Sequence, residues 1–551
     1  MSRRSKYIKL FAGLTSMMLF AGAAFGQSPA TQPGSRQKEV ASDLKPVKTE
    51  NEPATAELQS NDLQSEIKNL KTENTAVREQ LRKLEEQQKI LLESFDRLQR
   101  RLDGAATATA SPTGQAVPPP QAADTAAPLP NEEKTNAENT AAQAAAAPAK
   151  QDGENDRYQD GIVIWETSED AKVPFLLKFQ NTTQIRYLNT LSSVATFTDH
   201  LGVVREVNRR NDITVNRSMF VFSGYMFDKR ARYSLTVWTS AGAASIVVAG
   251  NIGWQFSKAL TITGGYTGVP GSRSLVNTFP FFTSTDRTMA DNFFRPAFTQ
   301  GVWANGEPLK GLYYLAFVGN GLNTLNISAN KIDTNLLVSG SVWWEPLGVY
   351  GPPGRARNMY DDYFASDKLR IRLGTSFTRS REDRFSNLDQ SSPENTSLHN
   401  SDGVLTFSTG AFAPGVTVQE ALYKMWAIDG GAKWRGFAVN GQYYFRWLSD
   451  FEADGPLPLA STFDHGFELV AGKFVIPRKL MAYVRGSAVF GQFRDSHEYA
   501  AGVKWHFLPT ERLWLSAELM RVQRVPYGGT FTPYTAGLSG WVPMIQSVLA
   551  F

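Results

Sequence analysis

Phe175-Leu-Leu-Lys-Phe-Gln-Asn-Thr-Thr-Gln-Ile-Arg-Tyr-Leu188 alternates residue by residue. Lys178, Gln180, Thr182, Gln184 and Arg186 share one parity. Leu177, Phe179, Ile185 and Tyr187 share the other, with Asn181 and Thr183 at its middle. A period of two sends successive side chains to opposite faces of a strand, so this stretch reads as a strand with one wet and one apolar face. The unit recurs to the end of the chain, in runs of roughly ten residues bounded by Gly, Asn, Asp or Pro. Lys368, Arg370 and Arg372 alternate with Leu369, Ile371 and Leu373; Arg232, Ser234 and Thr236 alternate with Tyr233, Leu235 and Val237. In 437–447, Phe437, Val439, Tyr443, Phe445 and Trp447 oppose Asn440, Gln442 and Arg446.

A soluble sandwich would bury the apolar face, turn sooner, and divide a chain of this length into several domains. Aromatics near strand ends, long polar loops such as 379–403 and short breaks such as 256–259 instead fit an antiparallel barrel in lipid, with 256–259 as a periplasmic turn. No stretch after the leader approaches the ~20 uninterrupted apolar residues of a spanning helix. Residues 157–551, at ~10 per strand plus a turn and a loop per pair, predict an all-β transmembrane barrel of about 16 strands. Such a barrel is too wide to be filled by its own side chains and encloses a channel unless plugged.

Ahead of the barrel the chain changes character three times. Residues 1–26 read as a cleavable signal peptide: Arg3, Arg4, Lys6 and Lys9, an apolar core from Leu10 to Phe25, and small residues around Ala24-Phe25-Gly26. A membrane helix is the competing reading, but Gly13, Thr15 and Ser16 interrupt the short apolar run. Residues 27–56 are polar and without period, the composition of a disordered segment. Within 57–103, the positions Leu63, Ile67, Leu70, Asn74, Val77, Leu81, Leu84, Gln88, Leu91, Phe95, Leu98 and Leu102 step by four and three. That heptad seam predicts a self-associating coiled coil about 60 Å long, with Asn74 fixing register. Residues 104–156, rich in Ala, Pro and Thr, form a linker. A coiled coil before a barrel implies an oligomer of barrels, the linker keeping the two symmetries independent.

The terminal run Pro543-Met-Ile-Gln-Ser-Val-Leu-Ala-Phe551 carries no charge. It resembles the C-terminal signal by which outer-membrane barrels are recognised, with Leu549 and Ile545 apolar on the Phe551 parity and Ser547 an exception. These features together place the barrel in a bacterial outer membrane and the coiled coil in the periplasm.

The net charge of +4 hides a division. Residues 27–156 carry 15 Lys+Arg against 21 Asp+Glu, a balance of −6, while 157–551 carry 38 against 32, a balance of +6. That excess is too small for nucleic acid but matters if it lines a channel. Anion preference needs cations on the wet face where the channel is narrow. The pore-lining candidates are Lys178, Arg186, Arg232, Lys368, Arg370, Arg372 and Arg446, each on the polar parity of its run. The long segment 268–297 reads as a constriction loop and carries Arg273, Arg287 and Arg295; any of these can equally be a solvated charge neutralised by a neighbour such as Asp286 or Asp291. Arg217 shares its parity with Ile213, Val215, Met219 and Val221, so alternation does not assign it to water.

Several stretches are similar to the phosphate-selective porins O and P, over most of 173–551. They are Asn216-Arg-Ser-Met-Phe-Val-Phe-Ser-Gly-Tyr-Met-Phe-Asp-Lys-Arg-Ala-Arg-Tyr233, Thr261-Ile-Thr-Gly-Gly-Tyr-Thr-Gly-Val-Pro270, Asp286-Arg287 through Arg295-Pro296, and Gln300-Gly-Val-Trp303. Gly472-Lys-Phe-Val-Ile-Pro477, Val484-Arg485 and Glu498-Tyr-Ala-Ala-Gly-Val-Lys-Trp505 follow in the same order. No lysine precedes Pro270, where that family has one, and the heptad region has no counterpart in the barrel family. The resemblance implies a homotrimer of 16-stranded porins, each narrowed by an inward loop lined with basic side chains, passing small anionic solutes such as phosphate.

With no cysteine the chain holds no disulfide, thiol nucleophile, Cys-ligated metal or acyl anchor. Its five histidines, His200, His399, His465, His497 and His506, are scattered, and no phosphate loop or His-Glu metal helix is present. The sequence therefore points to no enzyme, metal or cofactor. The rival reading is a structural tether, in which the coiled coil crosses the periplasm and the barrel anchors it. Deleting 27–150 separates the two: a porin keeps its conductance, whereas a tether loses envelope integrity.

Overall fold

The computed structural model describes residues 157–551 except 159, 241–244, 277, 325–331, 333–334, 352–357, 388–396 and 530. The signal peptide, the 27–56 segment, the coiled coil and the 104–156 linker lie outside the described residues.

A short strand β1 (Ile162–Glu166) precedes β2 (Phe175–Asn189). A small hairpin, β3 (Thr196–Thr198) and β4 (Val204–Glu206), sits in the following loop. Then come β5 (Asn211–Met226), β6 (Asp228–Ser240), β7 (Ser245–Gln255), β8 (Thr261–Gly268), β9 (Phe298–Leu309), β10 (Leu312–Asn320), β11 (Leu336–Trp344) and β12 (Arg370–Asp383). The chain ends with β13 (Val418–Trp434), β14 (Phe437–Ala453), β15 (Ser461–Ile476), β16 (Leu480–Phe490), β17 (Ser496–Trp505), β18 (Leu513–Gln523) and β19 (Gly540–Ala550). From β2 through β5 to β19 each strand pairs antiparallel with the next, and β19 pairs back onto β2, closing a 16-stranded barrel. Closure removes every free edge, which is what a sheet in hydrocarbon requires.

The seam is completed by the chain terminus. Ala550 lies opposite Thr182, and the main chain of Phe551 exchanges two hydrogen bonds with Asn181, each 2.9 Å. Below that point β1 takes over the same edge of β2, with Ile162 opposite Phe179 and Val163 opposite Lys178. The Phe551 ring meets Phe179 edge-on at 5.9 Å.

The alternation maps onto the two faces of the wall. Along β19, Trp541, Ile545 and Leu549 are exposed outward, while Val542, Met544, Gln546 and Val548 are buried inward. Ile213, Ile246, Ile252, Val302, Val338, Phe377, Leu469, Val484 and Leu519 continue the exposed apolar face around the barrel. A belt of that extent is built for hydrocarbon rather than water.

One rim carries short turns. Arg435 and Gly436 link β13 to β14 with φ of 50° and 79°, the left-handed pair that a two-residue hairpin needs. Turns at this rim run from the single residue Phe227 to the seven residues 506–512. The exception is the 25-residue link 345–369 between β11 and β12. The opposite rim carries the long loops, including 269–297 and 384–417.

A candidate constriction inside the barrel

Residues 269–297 leave β8 at the long-loop rim and turn inward. Every described residue of this loop is buried except Leu275 and Phe279, which are half-buried. Its turn of helix, α1 (Met289–Phe294), is capped by Thr288, whose Oγ1 accepts from the Asp291 N–H at 3.2 Å. The loop hangs from acidic side chains on the inner wall. Glu498 of β17 accepts from the Met289 N–H at 2.6 Å, Glu468 of β15 accepts from Thr288 Oγ1, and Glu518 of β18 accepts from the Thr285 N–H at 3.4 Å. Arg485 of β16 holds Glu498 at 2.9 Å and Glu518 at 2.7 Å, and also donates to the Asp286 carbonyl at 2.7 Å. Gly466 makes room for the helix: a Cβ there would stand 2.8 Å from the Phe294 ring and 2.2 Å from the Ala488 carbonyl oxygen. Glu498 and Glu518 thus share the Arg485 charge, as buried carboxylates demand, while Glu468 is held by hydrogen bonds from Thr288 and Gln442.

Against the β2–β5 wall the loop presents a cation-rich cluster. Asp286 pairs with Arg186 of β2 and, at 3.4 Å, with Arg217 of β5. Arg287 stands 3.7 Å from Asp291 and stacks over Phe282 at 5.0 Å, and Arg295 is 1% exposed beside them. Burial acts to raise the Asp286 carboxyl, but the Arg217, Arg186 and Arg287 charges outweigh it and hold it well below the ordinary carboxylate range. Arg287 is pulled down by burial first, then by the cations of Arg295 and Arg217. Four guanidiniums thus share a narrow space with two carboxylates, Asp286 and Asp291.

The other sequence candidates fall in two groups. Arg372, Arg446 and Arg273 are buried and paired. Arg372 lies 3.0 Å from Asp429 and Arg446 lies 2.7 Å from Asp464, while Arg273 donates to the Gly430 carbonyl at 3.2 Å and lies 4.0 Å from Asp429. Lys178, Arg232, Lys368 and Arg370 lie toward the short-turn rim. Lys178 is half-buried, Arg232 is exposed on the parity of the buried Trp238, Lys368 is exposed two residues before β12 begins, and Arg370 donates to the Leu347 carbonyl.

Sequence reading missed Arg217, Arg485, Lys433 and Lys504. The last three follow the alternation: Arg485 against the exposed Val484, Lys504 between Val503 and Trp505, Lys433 beside Trp434. Arg217 does not follow it. Gln184 lies opposite Arg217 but Ile185 lies opposite Val215, so Asn216 is an extra residue and the parity changes there.

No protein-family model and no curated protein matches the sequence. Among solved structures, the chain is similar to an outer-membrane-expressed OmpT of Vibrio cholerae, at 11% identity and TM-score 0.42 over 70% of this chain and 100% of that one. OprB of Pseudomonas putida is 10% identical at TM-score 0.42, over 68% and 94%. An anion-selective porin from Comamonas acidovorans is 10% identical at TM-score 0.40, over 68% and 99%.

Proposed function

We propose that this protein is an outer-membrane porin for passive diffusion of small hydrophilic solutes, with a preference for anions such as phosphate. One observation carries the reading: Arg186 and Arg217 on the wall face Arg287 and Arg295 on the inward loop, around Asp286 and Asp291. Guanidinium forks crowded where a barrel is narrowest attract carboxylate or phosphate oxygens and repel cations, because low-dielectric walls focus their field. Lys178, Arg232, Lys368 and Arg370 extend the basic path toward the short-turn rim. Arg372, Arg446 and Arg273 serve mainly to order the lumen, since their charge is met by Asp429 and Asp464. The exposed apolar belt takes outer-membrane lipid, the heptad region joins barrels as a homotrimer in the periplasm, and no cofactor is needed.

Single-channel recording of the purified full chain in planar bilayers, under a salt gradient, tests this. Stepwise conductance with an anion-favouring reversal potential, reduced by added phosphate, is the expected result. A cation-favouring potential removes the anion assignment and keeps the porin; silence at all voltages removes the porin.

A further inference from the structure

The link 345–369 leaves the short-turn rim and enters the barrel. Tyr350, Met359, Tyr360, Asp361, Asp362 and Tyr363 are all buried, at 5% exposure or less. A chain that only bridged two strands at a rim would leave such residues in water. Here the Tyr360 N–H donates to the Phe281 carbonyl at 3.0 Å, so the segment touches the inward loop that arrives from the opposite rim.

Its anchors are two inner-wall lysines and Arg273 of the inward loop. Lys433 Nζ donates to the Tyr350 carbonyl at 2.9 Å and to the Met359 carbonyl, and lies 4.1 Å over the Tyr350 ring. Lys504 Nζ pairs with Asp361 at 2.9 Å and donates to the Phe282 carbonyl. The Arg273 guanidinium lies over the Tyr350 and Tyr360 rings at 5.1 and 4.3 Å. Asp362 accepts from the Gly436 N–H at 2.7 Å, and the Tyr363 ring packs on Phe474 and His506 at 5.7 and 4.8 Å. Main-chain carbonyls, a carboxylate and ring faces therefore occupy the donors that a permeating anion would meet next.

We propose that the described parts of this link, 345–351 and 358–366, form a plug that closes the lumen beneath the inward loop by taking the place of the anion on Lys433 and Lys504. The plug enters from the rim of short turns, where the other strand connections take seven residues or fewer. It rests on the reading of the barrel as an anion-passing channel, and it makes opening depend on withdrawal of the segment rather than on the inward loop.

The test is bilayer recording of the full chain with residues 347–367 replaced by a short Gly-Ser link. Removing the occupant of the lumen raises open probability by about threefold or more, with openings of the parent's unitary size and reversal potential. An open probability equal to the parent's overturns the plug and leaves the channel reading intact. A second variant guards against misfolding of the first. Phe281→Cys with Tyr360→Cys, in a chain with no other cysteine, forms a disulfide whose presence is read by mass. The expected result is loss of openings when oxidised and their return with reductant; parent-like openings in the confirmed oxidised form overturn the proposal. If the parent, the deletion and the reduced pair are all silent, the channel reading itself fails and the plug with it.

Discussion

Arg217 Nη1 donates to Gln184 Oε1 at 2.7 Å, one residue from the point where the β2–β5 register slips. The slip leaves Asn216 as a bulge, with Ile213 and Val215 exposed on one side and Arg217 1% exposed on the other. A bulge is the cheapest way to turn a strand over in mid-course.

Deleting Asn216 is therefore expected to remove the bulge while leaving Ile185 opposite Val215 and Gln184 opposite Arg217, with Arg217 still facing the lumen. A slip that instead turned this guanidinium to the lipid face would cost ~2–4 kcal/mol at mid-bilayer. The heat-modifiable, folded fraction on gels should stay close to the parent's for the deletion, as for Asn216→Gly. A clearly lower folded fraction for the deletion would mean that the bulge residue, and not the pairing on either side of it, sets the register.

Arg217→Gln removes one cation from the cluster but leaves Asp286 with Arg186 and Arg287. A unit charge about 4 Å from a permeant ion in water is worth ~1 kcal/mol. The anion-to-cation permeability ratio should fall by up to about fivefold with little loss of conductance. An unchanged reversal potential would place the conduction path elsewhere in the lumen.

The strands were legible because alternation is local: Lys178, Arg370, Arg372 and Arg446 could be assigned a face from a few neighbours. Arg217 was hidden because one inserted residue inverts the rule. The acid partners were hidden for a different reason. Asp286 and Arg186 lie 100 residues apart, and Glu518 and Arg485 lie 33 apart, so only strand order and loop direction bring them together. The net charge of the barrel region consequently overstated how basic its interior is. The side of the 345–369 link was illegible as well, since its rim follows from the number of strands before it and its length resembles an external loop.

Arg485→Met should loosen the inward loop. It removes the only ion pair of Glu498 and of Glu518 among the described residues, both carboxylates fully buried. Breaking one side of such a buried network costs ~3–5 kcal/mol. The thermal midpoint in detergent should drop and channel noise should rise, because Glu498 also holds the Met289 N–H. Adding Glu498→Gln, which removes a stranded charge, should recover part of the loss; a further drop would show that Arg485 does not act through the carboxylates.

His399 and His506 make the fold acid-sensitive in a definite window. His399 lies in the 384–417 loop and shares a 2.8 Å hydrogen bond through Nδ1 with the Ser397 carbonyl. Burial first, opposed by that carbonyl and reinforced by Arg446, lowers its pKa from 6.5 to about 4. His506, in the turn after β17, is brought to about 4 by burial and then by Lys504. Between 6.5 and about 4 the unfolded chain takes up protons on these rings that the folded chain refuses, so stability rises with pH there and is lost as pH falls. Each fully buried ring contributes at most ~3 kcal/mol to that loss, and the partly buried His506 less. Asp286 acts in the same sense but at lower pH, because its depressed carboxyl stabilises the folded chain above the ordinary carboxylate range and that contribution is lost only as pH falls below it. Thermal midpoints in detergent should therefore drop between pH 6.5 and 4.5 for the parent and change much less for His399→Phe with His506→Phe. A double variant that falls as steeply as the parent would place the proton uptake on other groups.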